Sequence, residues 1–478
     1  MTLPEGWVEA TVDDLGEYLN GMAFKPSDWE DEGIGIIRIQ NLTDPTKPLN
    51  KTRRTFDERY RVRTGDLLVS WSATLDAFVW EREDAVLNQH IFKVTPSLCV
   101  DSNFLFYQLR ELISEMAASE HLHGSTMKHI NRGPFLAHPA VLPPRAEQRR
   151  IVAKLDALTA RLARARAELD RVPVLAEREH LALLRASVTG LLTAEWRTAS
   201  EWEPIADTLA RVPAPQQGRG GREATDKVIP GTAGIAVNNP GTPLPPGWAW
   251  VPLLRVAKQE TGHTPSRSKP EYWDGGVPWI GIRDAGAHHG RDIQTTIQTI
   301  SEAGLANSSA RLLPAGTVCL SRTASVGYVT MMKSSMATSQ DFATWTCTEA
   351  LLPEYLLYAL MAEGDDIRRF GMGSTHTTIY FPEIRALHIA LPPVEEQREI
   401  VTRLKTALAR ANRMEAECAR ARALIDRLEA AILAKAFCGE LVPQDPSDEP
   451  ASVLLDRIRA QRAAAPKPKS GRRKKETA

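Results

Sequence analysis

Cysteine is scarce in this 478-residue chain, with only Cys99, Cys319, Cys347, Cys418 and Cys438, an odd number with no Cys-x-x-Cys pair. No histidine cluster completes a zinc pattern, so the expectation is reduced, mainly structural thiols. Net charge is missing as well, because 59 Lys plus Arg balance 59 Asp plus Glu. A balanced chain that binds a polyanion must concentrate basic residues locally or borrow positive surface from partners. Aromatics are sparse at 6%, although the 11 Trp outnumber the 8 Tyr. No apolar run reaches the length of a membrane span. The opening Met1-Thr-Leu-Pro-Glu-Gly-Trp7 lacks the basic flank and apolar core of a signal peptide. Cytoplasmic residence is the expectation.

Catalytic signatures are lacking too. There is no Gly-x-x-x-x-Gly-Lys-Ser/Thr loop for nucleotide phosphates, no His-Glu-x-x-His and no Gly-x-Ser-x-Gly. His121, His123 and His129 cluster with His90 upstream, but the matching later positions hold Phe370, Met372, Thr378 and Asp341. His376 falls opposite Met127 instead. The expectation is a chain with no catalytic residue, no bound cofactor and no metal of its own.

What is there is duplication. Leu3-Pro-Glu-Gly-Trp7 returns as Leu244-Pro-Pro-Gly-Trp248, 241 residues later. Gly65-Asp-Leu-Leu-Val-Ser-Trp-Ser72 returns as Gly316-Thr-Val-Cys-Leu-Ser-Arg-Thr323, and Asn88-Gln-His90 as Ser339-Gln-Asp341, both offset by 251. Gly124-Ser-Thr126 matches Gly373-Ser-Thr375 at 249, as do Leu142-Pro-Pro-Arg-Ala-Glu-Gln-Arg149 and Leu391-Pro-Pro-Val-Glu-Glu-Gln-Arg398. Landmarks kept in order and nearly in register imply a tandem repeat of domain plus long helix. Each domain reads as mixed α and β. Ile34 to Ile39, Leu67 to Trp71, Val277 to Ile282 and Val318 to Ser321 are β-rich, whereas Phe104 to Met116 and Pro353 to Met361 have helical spacing. The Pro-, Gly- and Ala-rich stretch from Pro204 to Pro246 reads as a partly flexible connector.

After each Leu-Pro-Pro a long helix begins, with Glu147 or Glu396 in its first turn, where a carboxylate favours the amide end. Ile151, Leu155, Leu158, Leu162 and Leu169 form an apolar seam in the first helix, with Ala165 and Val172 in the same rhythm. Ile400, Leu404, Met414, Ile425, Leu428 and Ile432 do so in the second, interleaved with alanines and Cys418. A seam averaging one repeat every seven residues asks for a partner helix. Glu395 to Phe437 alone would extend about 65 Å. The two helices are natural mates within one chain, against the alternative that each packs separately on its own domain. Symmetry of two domain–helix units favours antiparallel pairing about a pseudo-two-fold axis. Pro173 should kink or break the first helix.

Basic residues are clustered where nucleic-acid contact would be expected. Arg53, Arg54, Arg59, Arg61 and Arg63 form a run in the first domain, and Lys128 and Arg132 follow its Gly-Ser-Thr turn. In the second domain Arg267, Lys269, Arg283, Arg311, Arg322 and Lys333 are spread through loops and strand ends. Arginine and lysine neutralise phosphates, and some arginines read guanine edges. A solvated surface role competes for each. The Gly-Ser-Thr tripeptides suit either phosphate contact or a simple turn. The tail from Ala463, with Lys467, Lys469, Arg472, Arg473, Lys474 and Lys475, reads as disordered.

Together the duplicated Leu-Pro-x-Gly-Trp, the Gly65-Asp-Leu-Leu-Val-Ser-Trp segment, Asn88-Gln-His90 and the two Leu-Pro-Pro-x-x-Glu-Gln-Arg segments resemble the specificity subunit of Type I restriction–modification systems. Ala436-Phe-Cys-Gly-Glu-Leu-Val442 and its weaker counterpart Ser187-Val-Thr-Gly-Leu-Leu-Thr193 add to the resemblance. It covers nearly the whole chain. It implies an α+β fold with two tandem target-recognition domains joined by two long antiparallel coiled-coil helices. The implied boundaries are 1–145 and 245–393 for the recognition domains and 146–195 and 394–440 for the helical spacers. A linker at 196–244 and a C-terminal extension at 441–478 complete the chain. The implied role is reading a two-part DNA site and positioning two methylation subunits, with restriction subunits as further partners. S-adenosylmethionine, ATP and Mg would reside in those partners. Arg322-Thr323 in place of Trp71-Ser72 departs from the repeat and argues against equal DNA targets in the two copies. A non-catalytic scaffold of another defence complex is the alternative.

Overall fold

The computed structural model describes residues 3–118, 131–218, 222–323, 325–372 and 377–464. Its five longest helices are α1 (Ser102–Ala118), α2 (Arg145–Val188), α3 (Pro353–Glu363), α4 (Val394–Phe437) and α5 (Ala451–Ala464). Two compact units emerge, one comprising Met1–Leu169 with Ala419–Ala478 and the other Asp170–Cys418. Each long helix, α2 and α4, gives one half to each unit. The fold is α+β.

In the first unit an antiparallel sheet runs in the order Gly16–Asn20, Ile91–Pro96, Leu67–Ser70, Asp76–Val79. A second sheet orders Asn50–Thr52, Ile34–Ile37, Ala85–Leu87 and Arg61–Val62, its central pair parallel. Leu67–Ser70 is buried on both faces, so its apolar residues run on continuously instead of alternating. Val8–Thr11 pairs with Pro139–Leu142.

The second unit repeats these pairings register by register. Tyr18 opposite Val94 becomes Gln259 opposite Trp345, and Val8 opposite Leu142 becomes Ala249 opposite Leu391. The parallel pair Ile36 with Val86 becomes Trp279 with Ala337. The tandem repeat is thus a repeat of hydrogen-bond pattern.

The long helices pair antiparallel within each unit. In the first, Ile151, Val152 and Leu155 on α2 pack with Ile432, Leu433 and Ala436 on α4, and Leu158 and Leu162 flank them. Further along, Arg166 meets Asp426 and Glu429 at 2.7 and 2.6 Å. In the second unit Ile400 and Leu404 are fully buried in the core that also holds Leu184 and Val188, and Arg403 reaches the Leu192 carbonyl. Leu169 and Ile425 are half-buried. Met414 and Leu428, expected in the seam, are instead 44% and 50% exposed. An apolar period marks a stripe wider than the line along which two helices touch, and positions on its flank stay in water.

One further expectation changes, and two segments carry more structure than their composition announces. Pro173 does not break α2, which continues through it. Proline has no amide hydrogen for the carbonyl four residues earlier, which here belongs to Leu169. The Arg422 guanidinium donates to that carbonyl at 3.3 Å. The connector is also more built than its composition suggests. Ile229–Pro230 and Ile235–Val237 join a sheet with Leu387–Leu391 and Ala249–Pro252. The buried Glu363 carboxylate ties the turn between them, accepting from the backbone amides of Thr232, Ala233 and Ile235. In the C-terminal extension, α5 buries Ala451, Leu454, Leu455 and Ile458 in the same core as Val12 and Leu15. Arg459 and Arg462 fasten it to Asp14 and Asp13. The basic residues of the tail from Lys467 lie outside the described residues.

The Arg422 contact yields a coupled prediction. Arg422→Ala should lower stability by about 1.5–3 kcal/mol, as expected for a hydrogen bond from a charged donor. In a Pro173→Ala background, where an amide is restored to the Leu169 carbonyl, the same change should cost less. Equal losses in both backgrounds, measured by chemical denaturation, would mean that Arg422 does not compensate for the proline.

Candidate nucleic-acid interface

Each domain is fixed to the start of a long helix by a buried carboxylate. Pro4 to Trp7 and Pro245 to Trp248 form reverse turns closed by Trp7 N–H to Pro4 O and Trp248 N–H to Pro245 O. The third turn residue sits at positive φ, Gly6 at 82° and Gly247 at 80°, a conformation that favours glycine. These turns aim the indoles inward. Trp7 Nε1 donates to Glu147 Oε2 at 2.9 Å, and Trp248 Nε1 to Glu396 Oε2 at 2.8 Å. The other oxygen is served differently. Gln444 Nε2 reaches Glu147 Oε1 at 3.2 Å, while Glu396 Oε1 accepts from Thr193 at 2.6 Å and Arg197 at 2.7 Å.

The neighbouring glutamines complete the mounting. Gln148 bridges the Asp101 amide to the Pro143 carbonyl, and Gln397 bridges the Leu352 amide to the Pro392 carbonyl. The repeated Leu-Pro-Pro-x-x-Glu-Gln therefore has a physical reason. Its Glu receives the domain's first tryptophan, and its Gln receives the approach to α1 or α3. First-turn helix stabilisation alone, read from sequence, missed this. The co-repeating Trp7 and Trp248 were the available signal.

The candidate contact residues divide by surroundings. In the first domain Arg53 pairs with Glu32, Arg54 lies 3.7 Å from Asp28, and Arg61 bonds Glu58 at 2.7 Å. The basic run is therefore a set of exposed ion pairs, not bare positive charge. Arg132 donates to the Tyr18 carbonyl at 3.1 Å. Lys128, His121, His123, His129, His376 and both Gly-Ser-Thr tripeptides lie outside the described residues. Trp71 and His90 are neighbours, with rings 5.4 Å apart. Buried nitrogens on both, Trp71 Nε1 and His90 Nδ1, lack a hydrogen-bond partner among the described residues.

In the second domain three of the basic residues lie on aromatic faces. Arg267 sits 4.6 Å from the Trp273 ring centre and Lys269 4.9 Å from that of Tyr272. Arg283 and Lys333 are exposed, with no ion pair among the described residues. Arg322 stacks 4.4 Å from the centre of Phe381, and its Nη2 donates to the Gln340 carbonyl. Burial pulls the Arg322 guanidinium below its usual pKa. Arg222, Arg311 and Arg385 line the same cavity as Arg322. Sequence reading missed Arg222 and Arg385, which have no repeated landmark. Among the described residues no group of three or more His, Cys, Asp or Glu side chains could hold a metal ion.

Two domains of one hydrogen-bond pattern, each mounted by a Trp–Glu latch on long paired helices, define a duplicated recognition scaffold. Residues 4–171 and 245–418 match the family profile described as the Type I restriction modification DNA specificity domain. Over 99% of its length the chain is 26% identical to the Type I restriction enzyme EcoBI specificity subunit of Escherichia coli, covering 96% of that protein. It is 24% identical to the EcoKI specificity subunit of E. coli strain K12, with 99% of each chain covered. Among solved structures, one from work on complex assembly and conformational transition of the type I R-M system matches with a TM-score of 0.64 at 21% identity. That match covers 92% of this chain and all of the other. The HsdS subunit from Thermoanaerobacter tengcongensis matches at 0.54 and 21% identity, over 92% of this chain and 99% of its own. The chain belongs to the specificity subunits of Type I restriction–modification systems. It is the DNA-recognition member of such a complex and not its catalyst. No helix among the described residues is long and apolar enough to cross a membrane.

The latches differ in what their loss exposes. Glu396→Ala strands the nearly buried Arg197 guanidinium and should cost about 3–5 kcal/mol, the range for breaking one partner of a buried ion pair. Glu147→Ala leaves neutral donors unpaired and should cost about 1–3 kcal/mol. Burial raises the Glu147 carboxyl above its usual pKa, against opposing hydrogen bonds from Trp7 and Gln444. The native state then holds this proton to higher pH than the unfolded chain. The linked stability is full below the ordinary carboxylate pKa and declines as pH rises through the native value. Glu147→Gln should flatten that decline in urea midpoints. An unchanged pH profile would count against a raised Glu147.

Proposed function

We propose that the two recognition domains read two different half-sites of one asymmetric DNA sequence, separated by unread base pairs. The observation that carries this is unequal chemistry at equal framework positions. Trp71, His90 and Arg132 in the first domain stand where the second has Arg322, Asp341 and Phe381, although the surrounding strand registers are the same. An equal framework keeps each reading surface in the same pose on its own helix start. Unequal side chains then present different hydrogen-bond and stacking groups to DNA.

In this reading the recognition domains span 1–145 and 245–393, and the helical spacers 146–195 and 394–440. Arg267, Lys269, Arg283, Arg322 and Lys333 contact DNA in the second domain. Arg132 and Lys128 do so in the first, together with Arg53, Arg54 and Arg61 once phosphates displace their carboxylate partners. The partners are two methylation subunits and, in the restricting complex, restriction subunits. These carry S-adenosylmethionine, ATP and Mg, and the assembly works in the cytoplasm on double-stranded DNA. The full-length likeness to the EcoBI and EcoKI specificity subunits supports this assignment.

Domain exchange tests it. Residues 245–390 are replaced by the equivalent domain of a related subunit, the chimaera is assembled with its methylation subunits, and binding is selected from randomised duplexes. One half of the recognised sequence should change while the other half and the spacing persist. Change in both halves, or in neither, contradicts the two-reader assignment.

A further inference from the structure

The second domain contains a cavity of about 490 Å³ lined by Arg222, Arg311, Arg322 and Arg385, together with Gln259 and Tyr380. Four arginines lining one space repel one another unless something neutralises them. Among the described residues on the wall the one carboxylate, Glu260, is already engaged, by Arg311 at 3.1 Å and Lys258 at 3.2 Å. Arg222 and Arg385 have no carboxylate within ion-pair distance among the described residues. Arg322 is pinned by Phe381 stacking and by the Gln340 carbonyl, and its buried Nε has no hydrogen-bond partner among the described residues. Among the described lining residues, guanidinium groups therefore outnumber carboxylates four to one.

The equivalent positions of the first domain carry no arginine. At the repeat offsets Tyr60 stands opposite Arg311, Trp71 opposite Arg322 and Leu136 opposite Arg385. Three arginines of one copy are thus three apolar or aromatic residues in the other. A requirement of the shared framework would have appeared in both. The arginines are therefore a feature of the second domain and not of the shared framework.

We propose that this cavity is an oxyanion subsite that takes a backbone phosphate of duplex DNA, anchoring the second domain without reading a base. The proposal rests on the DNA-reading assignment above. Guanidinium forks match phosphate oxygens in pairs, and a phosphate supplies the acceptors that the cavity lacks. Connector residue Arg222 then belongs to the DNA-binding surface of the second domain.

The test uses the full chain assembled with its methylation subunits, as wild type, Arg311→Gln/Arg385→Gln and Arg322→Gln, with thermal melts confirming that each is folded. Affinity for a duplex carrying the selected site and for a scrambled duplex is measured across a salt series. The double variant should weaken both duplexes by the same factor. It should also reduce the slope of log affinity against log salt by about 1, the value for a single neutralised phosphate. Base preference should stay as in wild type. If wild type binds and the variants bind equally well with the same slope, the cavity assignment is wrong while DNA recognition stands. If wild type binds neither duplex, the DNA-reading assignment itself fails and takes the proposal with it. Relaxed preference at one base position would assign the cavity to base reading and overturn the phosphate. Inorganic phosphate is the last arm. Should it raise the melting temperature of wild type and not of the double variant, with duplex affinity unchanged between them, the site is one for small anions and not for DNA.

Discussion

A tryptophan indole donating to a glutamate buried in the first turn of a long helix is the interaction on which each half of this protein depends. An uncompensated carboxylate in that position would cost several kcal/mol. It is tolerated because the helix start offers positive electrostatic potential and because an indole and a second donor saturate its oxygens. The turn that delivers the indole needs a residue at positive φ, which Gly6 and Gly247 supply. Trp, Gly and Glu are therefore one device distributed over distant parts of the chain. Without it, the strands Val8–Thr11 and Ala249–Pro252 would lose the anchor at their entry, and the domain its orientation on the helix.

This constraint explains why the framework repeats while the surface does not. A latch fixes the pose of a domain without specifying its outer side chains, so Trp71 and Arg322 can differ without disturbing the strands that carry them. The second partner of each Glu shows the same freedom. Gln444 serves one copy and Arg197 with Thr193 the other, each arriving from the segment that follows the opposite long helix. Chemistry that satisfies the carboxylate is kept, and the residue that performs it is not.

Much of this was legible because duplication doubles every signal. Ile151, Leu155, Ile400 and Leu404 were readable as buried from their spacing, and the domain–helix order followed from the offsets. Met414 and Leu428 were not, since periodicity identifies an apolar stripe but not how much of it a partner covers. Pro173 misled because local propensity predicts a break, whereas Arg422, far away in sequence, donates to the Leu169 carbonyl that the proline cannot serve. The strands Ile229–Pro230 and Ile235–Val237 were hidden by Pro- and Gly-rich flanks, and the Glu363 carboxylate that ties them lies more than a hundred residues away. At the candidate interface, the basic run from Arg53 lost its apparent charge to Glu32, Asp28 and Glu58. Arg222, Arg311, Arg322 and Arg385 come together only in three dimensions. Long-range ion pairing is the part of the structure that a single sequence encodes least visibly.

Exchange of the indole protons with solvent tests the central interaction most directly. With tryptophan labelled by nitrogen-15, the Nε1–H signals of Trp7 and Trp248 should persist in heavy water until the unit containing each one unfolds. That of the partly exposed Trp29 should vanish at once. Each protected signal should become labile when its own glutamate, Glu147 or Glu396, is changed to Ala, and the other should be unaffected. Rapid exchange of Trp7 and Trp248 in the native protein would contradict the latch and the fixed mounting of the domains built on it.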